Sequence, residues 1–224
     1  MADKTPTEVP LFPLDGAVLF PGTRQMFHIF EERYKLLVND VLEGDRHLAI
    51  PLLRPGWEAH YFEAPAVHRV CGMGEIVWFE RLEEGRFNLA VDGRSRIRLL
   101  EEVRQTPYRV ARFEIIGDLR ESGDAPLIAE EISRLRRLAA KLTELFPQFH
   151  REIAPLSREG ASPSEVADLI AHRFVRDVYD RQSILNEPSV SRRLQLTRVQ
   201  LMMLIQRFMR EGDYREFVET LEPH

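Results

Sequence analysis

The sequence predicts an α+β protein that is β-rich up to Gly117 and helical beyond it. Three observations lead there. Apolar runs before Gly117 are of strand length and rich in β-branched and aromatic residues. Turn-forming pairs separate them. After Gly117 the apolar residues recur at three- and four-residue steps, the period of a helix packed on one face.

In order, the expected strands are VPLFPL (9–14), AVLF (17–20), HLAIPLL (47–53), GEIVWFERL (74–82), RFNLAVDG (86–93), RIRLLEEV (96–103) and YRVARFEII (108–116). Asp15-Gly16, Pro21-Gly22, Pro55-Gly56, Glu84-Gly85 and Asp92-Gly93 supply turns between them. Short strands at this spacing suggest a sandwich or a barrel. One helix interrupts them, 31–42, with Tyr34, Leu37, Val38 and Val41 on one face.

Residues 1–117 therefore read as a β-rich domain, 118–126 as a linker, and 127–224 as a helical bundle. Ile128, Ile132, Leu135, Leu138, Ala139, Leu142 and Leu145 form the first apolar stripe of that bundle. Ser162-Pro163-Ser164-Glu165 is a helix start, with a capping Ser, a Pro preset for the first helical position and a Glu able to close a capping box. The helix it opens should bury Val166, Leu169, Ile170 and Phe174. A further helix over 190–209 carries Leu194, Leu201, Leu204, Ile205 and Phe208, and Asp213 to Glu216 opens a short terminal one.

Composition narrows the function classes. With 31 Lys plus Arg against 36 Asp plus Glu, the chain carries a formal charge of −5. That balance argues against a nucleic-acid partner, which calls for a basic surplus. The single cysteine, Cys71, allows no intrachain disulfide and fits a reducing compartment. No apolar stretch resembles a signal peptide or a membrane span, so a cytoplasmic protein is expected. The oligomeric state is left open.

Catalytic motifs are missing. None of the three lysines (Lys4, Lys35, Lys141) follows a glycine, so there is no phosphate-binding P-loop. Gly160-Ala161-Ser162 begins a nucleophile elbow that Pro163-Ser164 breaks. The seven histidines form no helical zinc pair around a Glu. The chain reads as non-enzymatic, with no cofactor and no metal.

Local features admit two readings each. Arg94, Arg96 and Arg98 alternate, so a strand would put them on one face. They form either an anion- or RNA-binding stripe or a solvated face whose charges are met by neighbouring acids, and the negative net charge favours the second. Cys71 reads as a small buried hydrophobe rather than a nucleophile. His28, between Phe27 and Ile29, reads as a core or strand-packed histidine rather than a ligand. Loop 54–65, RPGWEAHYFEAP, carries large rings in a segment bounded by Pro and Gly. Trp57, His60, Tyr61 and Phe62 are its candidate peptide-binding residues. The competing reading has the rings folded back over one end of a barrel.

An ordered series of segments resembles the Lon amino-terminal, or substrate-binding, domain. It runs Pro10-Leu11-Phe12-Pro13-Leu14, Leu19-Phe20-Pro21-Gly22 and His28-Ile29-Phe30-Glu31-Glu32-Arg33-Tyr34. It continues with Val70 to Ile76, Val91 to Arg96, Pro107-Tyr108, Ala167 to Ala171, Arg181 to Leu185 and Arg192-Arg193-Leu194. The resemblance implies a PUA-like β-barrel with one inserted helix, followed by an α-helical bundle. It also implies a role in recognising polypeptide substrates and in assembly. The ATPase and Ser-Lys protease modules of the full-length proteases have no counterpart in this sequence, so the chain reads as a free-standing recognition module that cannot unfold or degrade what it binds unless it works with another machine. Pro13, Pro21, Phe30 and Tyr34 are expected to be architectural, the last two packing the barrel against its helix. PUA-like barrels can also bind RNA, which keeps that alternative in view.

Overall fold

The computed structural model describes residues 7–61, 63–147, 150 and 160–211. The chain divides into two compact units, Met1–Gly117 and Asp118–His224. The result is an α+β protein with, among the described residues, one largely antiparallel six-stranded sheet and five α-helices.

The first unit contains β1 (Thr7–Pro10), β2 (Arg24–Ile29), α1 (Glu32–Glu43), β3 (His47–Ile50), β4 (Val70–Arg81), β5 (Phe87–Arg104) and β6 (Val110–Ile115). The strand path is β1-β6-β5-β4-β3, with β2 pairing β5 off that path. Among the described residues continuous pairing does not close the sheet. Two isolated parallel bridges, Leu11 to Ala49 and Leu14 to Leu52, tie the chain after β1 to the β3 end.

Helix α1 forms where its apolar spacing requires. Tyr34, Leu37, Val38 and Val41 are all buried, in a cluster with Phe12, Leu48, Ile76 and Phe87. Each such side chain contributes about 1.5–3 kcal/mol by leaving water. Glu31 occupies the N-cap position without a side-chain cap bond, because its carboxylate is already engaged by Arg33 and Tyr61. With Glu32 in the first turn, its charge still favours the positive end of the helix. A second cluster joins Val9, Leu11, Cys71, Ile97 and Ala111.

Several expectations for this unit are corrected. Residues 24–29, not among the strands expected from the sequence, form β2, whereas 17–20 is not a strand. RFNLAVDG and RIRLLEEV are one strand of 18 residues, and Asp92-Gly93 lies inside it rather than at a turn. The reason is steric. A Cβ on Gly93 would meet the Phe20 carbonyl oxygen at 2.0 Å, so this glycine makes room for a crossing backbone. Gly22 and Gly56, by contrast, sit in turns with φ of 74° and 87°, the left-handed region open to glycine.

The second unit holds α2 (Ala125–Leu145), α3 (Pro163–Phe174), α4 (Val178–Asn186) and α5 (Val190–Glu211). The stripe on α2 buries Ile128, Leu135, Ala139 and Leu142, with Ile132, Leu138 and Leu145 partly covered. Helix α3 begins with the expected reciprocal capping box, in which the Ser162 hydroxyl accepts from the Glu165 N–H and the Glu165 carboxylate accepts from the Ser162 N–H. Helix α4 has no apolar periodicity to announce it. It starts where the Asp177 carboxylate accepts the N–H groups of Tyr179 and Asp180.

At the centre of this unit Arg193 is fully buried. It donates to Asp118 at 2.5 Å and to the Ser164 hydroxyl at 2.8 Å, and its Nε lies 3.5 Å from Asp168. Segment 118–126, read as a linker, thus begins with a residue tied to α3 and α5. It continues with Leu119, whose backbone bonds to Pro188 and Val190. The capping box at Asp213 lies outside the described residues.

Candidate functional site

The aromatic loop is closed at its neck. Leu53 bridges Val67, the Arg54 N–H donates to the Ala66 carbonyl, and Arg109 donates to the Pro65 carbonyl at 2.8 Å. Inside it Trp57–His60 forms one 3-10 turn after Gly56. Trp57 and Tyr61 meet edge to face, with ring centroids 5.5 Å apart.

Tyr61 turns back toward α1. Its hydroxyl donates to Glu31, and the Arg33 guanidinium lies 4.9 Å from its ring and 4.6 Å from that of Tyr34. Stacking a cation between two rings fixes the loop against the helix start. Burial raises the Tyr61 phenol and drives Tyr34 up to about 12, so both remain protonated near neutral pH. His60 is exposed and bonds Glu63 at 3.1 Å. Of the four candidate residues, Trp57, His60 and Tyr61 are therefore brought to one loop, and Phe62 lies outside the described residues.

A second surface, with no periodic signal in the sequence, lies on the outer face of β2, β5 and β4. Register places Met26 opposite Ala90, and Ala90 opposite Trp78. Directly paired residues project from the same face, so the three form one row. Met26 is 52% exposed and Trp78 47%, while Ala90 between them is only 3% exposed. Phe30 follows β2 at 62% exposure, stacked on His28 with centroids 6.1 Å apart. Phe30 therefore does not pack the sheet against α1, unlike buried Tyr34. It falls past the end of β2, where the chain turns toward the helix.

The charged rows beside this one are internally matched. Arg24 donates to Asp92 at 2.6 Å and holds that carboxyl below its ordinary range. His28 meets Asn88 at 2.8 Å, and Asn88 donates to Glu80 at 3.1 Å. Arg94 pairs with Glu75 on β4, and Arg98 with Glu114 on β6. Arg96 is buried. The three arginines thus present no open guanidinium stripe. His28 is exposed and held by its neighbours rather than set in the core.

Nothing in these contacts organises acid–base or metal chemistry. Cys71 is buried, and burial pushes its thiol well above the ordinary range. Among the described residues no group of His, Cys, Asp or Glu is arranged to hold a metal ion, and no helix is long and apolar enough to cross a membrane. In the helical unit a cavity of about 360 Å³ is lined by Arg120, Ile128, Ile132 and Pro163 among others.

Comparison with known proteins completes the picture. Residues 8–202 match the family described as the ATP-dependent protease La (LON) substrate-binding domain. The chain belongs to the Lon substrate-binding domain family. It is 27% identical over 194 residues to Lon protease 2 of Myxococcus xanthus, covering 85% of this chain and 23% of that protein. Lon protease 1 of Thermus thermophilus is 27% identical over 215 residues, covering 93% of this chain and 26% of that protein. The chain thus spans about a quarter of the length of these relatives. In structure it resembles the N-terminal domain of the Mycobacterium avium complex Lon protease, at a TM-score of 0.68 and 14% identity, covering 88% of this chain and 98% of that one. A Lon N-terminal domain protein from Xanthomonas campestris aligns at 0.56 and 23% identity, covering 84% and 95%. Both structural likenesses concern the fold.

Proposed function

We propose that this member of the Lon substrate-binding domain family is a polypeptide-recognition module that binds without catalysing. The carrying observation is the match to a substrate-binding family over residues 8–202. It is supported by an exposed apolar row, Met26 and Trp78, whose charged surroundings are already paired. Exposed apolar surface of this kind marks interaction sites.

On this reading the module selects polypeptides that expose apolar residues. Trp57 and His60 add to the binding surface, Tyr61 holds the loop in place, and Phe62 is kept as a candidate contact from the sequence. The six strands, with the bridges at Leu11 and Leu14 drawing the ends of the path together, form a PUA-like barrel. The two units act as a recognition domain and a helical domain. The engagement of Arg94 and Arg98 by Glu75 and Glu114 leaves the RNA alternative without support.

Calorimetric titration of the full chain with a reduced, alkylated protein and with its folded parent tests the proposal. Binding to the unfolded form alone is expected, weakened by Trp57→Ala. Absence of binding to the unfolded chain, with no effect of Trp57→Ala or Tyr61→Ala, would end it.

A further inference from the structure

Strand β2 has one partner. It pairs with Phe87–Asp92 of β5 over six consecutive positions without a bulge, and among the described residues no second strand joins it. In an antiparallel ladder, alternate residues turn their N–H and C=O groups toward each side. Half of the backbone groups of β2 therefore point away from β5. Folded proteins commonly blunt such an edge with Lys, Pro or a bulge. The strand RQMFHI has none of these, and its one arginine, Arg24, is held by Asp92.

Two features specify what fits there. Alternating N–H and C=O dipoles along a strand edge are complementary to another extended backbone. The neighbouring side-chain charges are neutralised within the sheet, by Arg24 with Asp92 and Arg94 with Glu75. Met26, Trp78 and Phe30 remain as open contacts. A strand added beside β2 would lengthen the Met26–Ala90–Trp78 row by one residue, and an uncharged apolar side chain suits that position.

We infer that the free edge of β2 accepts an extended, uncharged polypeptide segment, which adds as a strand beside Arg24–Ile29 and sets an apolar side chain against Met26. This rests on the polypeptide-recognition reading and gives it a place and a bound conformation. The edge selects main chain by hydrogen bonding and apolar content by the row, so many sequences satisfy it.

The test uses the full chain, a short acetylated peptide of alternating valine and threonine, and the same peptide N-methylated at consecutive central residues, which blocks both of its edges. The parent peptide is expected to slow amide exchange within 24–29, and N-methylation to weaken binding by about tenfold or more, the equivalent of one or two lost hydrogen bonds. Met26→Lys, at an exposed position, is expected to weaken the parent peptide similarly. Equal affinity for both peptides, or protection confined to loop 54–66, would overturn strand addition while leaving polypeptide recognition standing. A peptide-free dimer with the β2 amides already protected would overturn it too, by assigning the edge to a second copy. No binding of either peptide or of an unfolded protein would overturn the recognition reading itself.

Discussion

Leu19 rests on Gly72 with no space for a side chain between them: a Cβ on Gly72 would lie 2.0 Å from the Leu19 carbonyl oxygen. Gly93 stands in the same relation to Phe20. Together these glycines let the backbone of 19–20 cross the inner surface of β4 and β5, and the obstacle at each is main chain rather than a movable side-chain tip. Gly72→Ala and Gly93→Ala are each expected to destabilise the first unit by about 3 kcal/mol or more, seen as a lower urea midpoint. Gly16→Ala, which meets nothing within 4 Å, is the control and should leave the midpoint nearly unchanged. A Gly72→Ala protein as stable as its parent would show that the crossing segment can move aside.

Arg193 is expected to be the most sensitive polar position of the second unit. Arg193→Met leaves the carboxylates of Asp118 and buried Asp168 without their cation. Removing one partner of a buried ion pair costs about 3–5 kcal/mol. Circular dichroism melts of the helical signal would record the loss. An unchanged melt would mean that Asp168 takes up a proton or another donor at little cost.

Acid should weaken the second unit through His172. Its Nδ1 is enclosed without a hydrogen-bond partner among the described residues. Burial, assisted by Arg173 and Arg181, lowers its pKa to about 4. Between that value and the unfolded value of about 6.5 the unfolded chain binds more protons than the folded one. Stability is therefore expected to fall as the pH drops through this window, by up to about 3 kcal/mol. His172→Leu should flatten the slope in urea titrations at pH 7, 5.5 and 4, and a slope kept by that variant would assign it to other groups.

Cys71 should be silent toward thiol reagents in the native protein. Its side chain is buried and its thiol is held in the protonated form, whereas alkylation requires an accessible thiolate. Iodoacetamide at pH 8 is expected to react more than about a hundredfold faster in urea than in buffer, because labelling waits on opening. Equal rates would place the thiol at the surface.

What the sequence made legible follows from how local each cause is. Tyr34, Leu37, Val38 and Val41 declare α1 by spacing alone, and Ser162 with Glu165 declares the start of α3 within four residues. Asp92-Gly93 misleads as a turn because the reason for that glycine is Phe20, more than seventy positions earlier. Strand β2 escapes because Met26 and His28 alternate with half-covered Gln25 and Phe27, a pattern whose meaning depends on β5. The loop rings of Trp57 and Tyr61 are conspicuous in the sequence, yet their engagement by Arg33 and Glu31 depends on folding. The row through Ala90 is invisible until register sets Met26 and Trp78 on either side of it.

Strand β5 serves β2 through 87–92, β6 through 97–104 and β4 along most of its length. It is a shared spine: without it only the two-stranded pairs β1–β6 and β3–β4 keep a ladder, and two strands alone are marginally stable at best. Opening by fraying is confined to the ends, and deeper opening must be cooperative. Amides across β4, β5 and β6 should exchange at one common rate under conditions that favour global unfolding, and a single nick within β5 should dissolve the whole sheet rather than release a fragment.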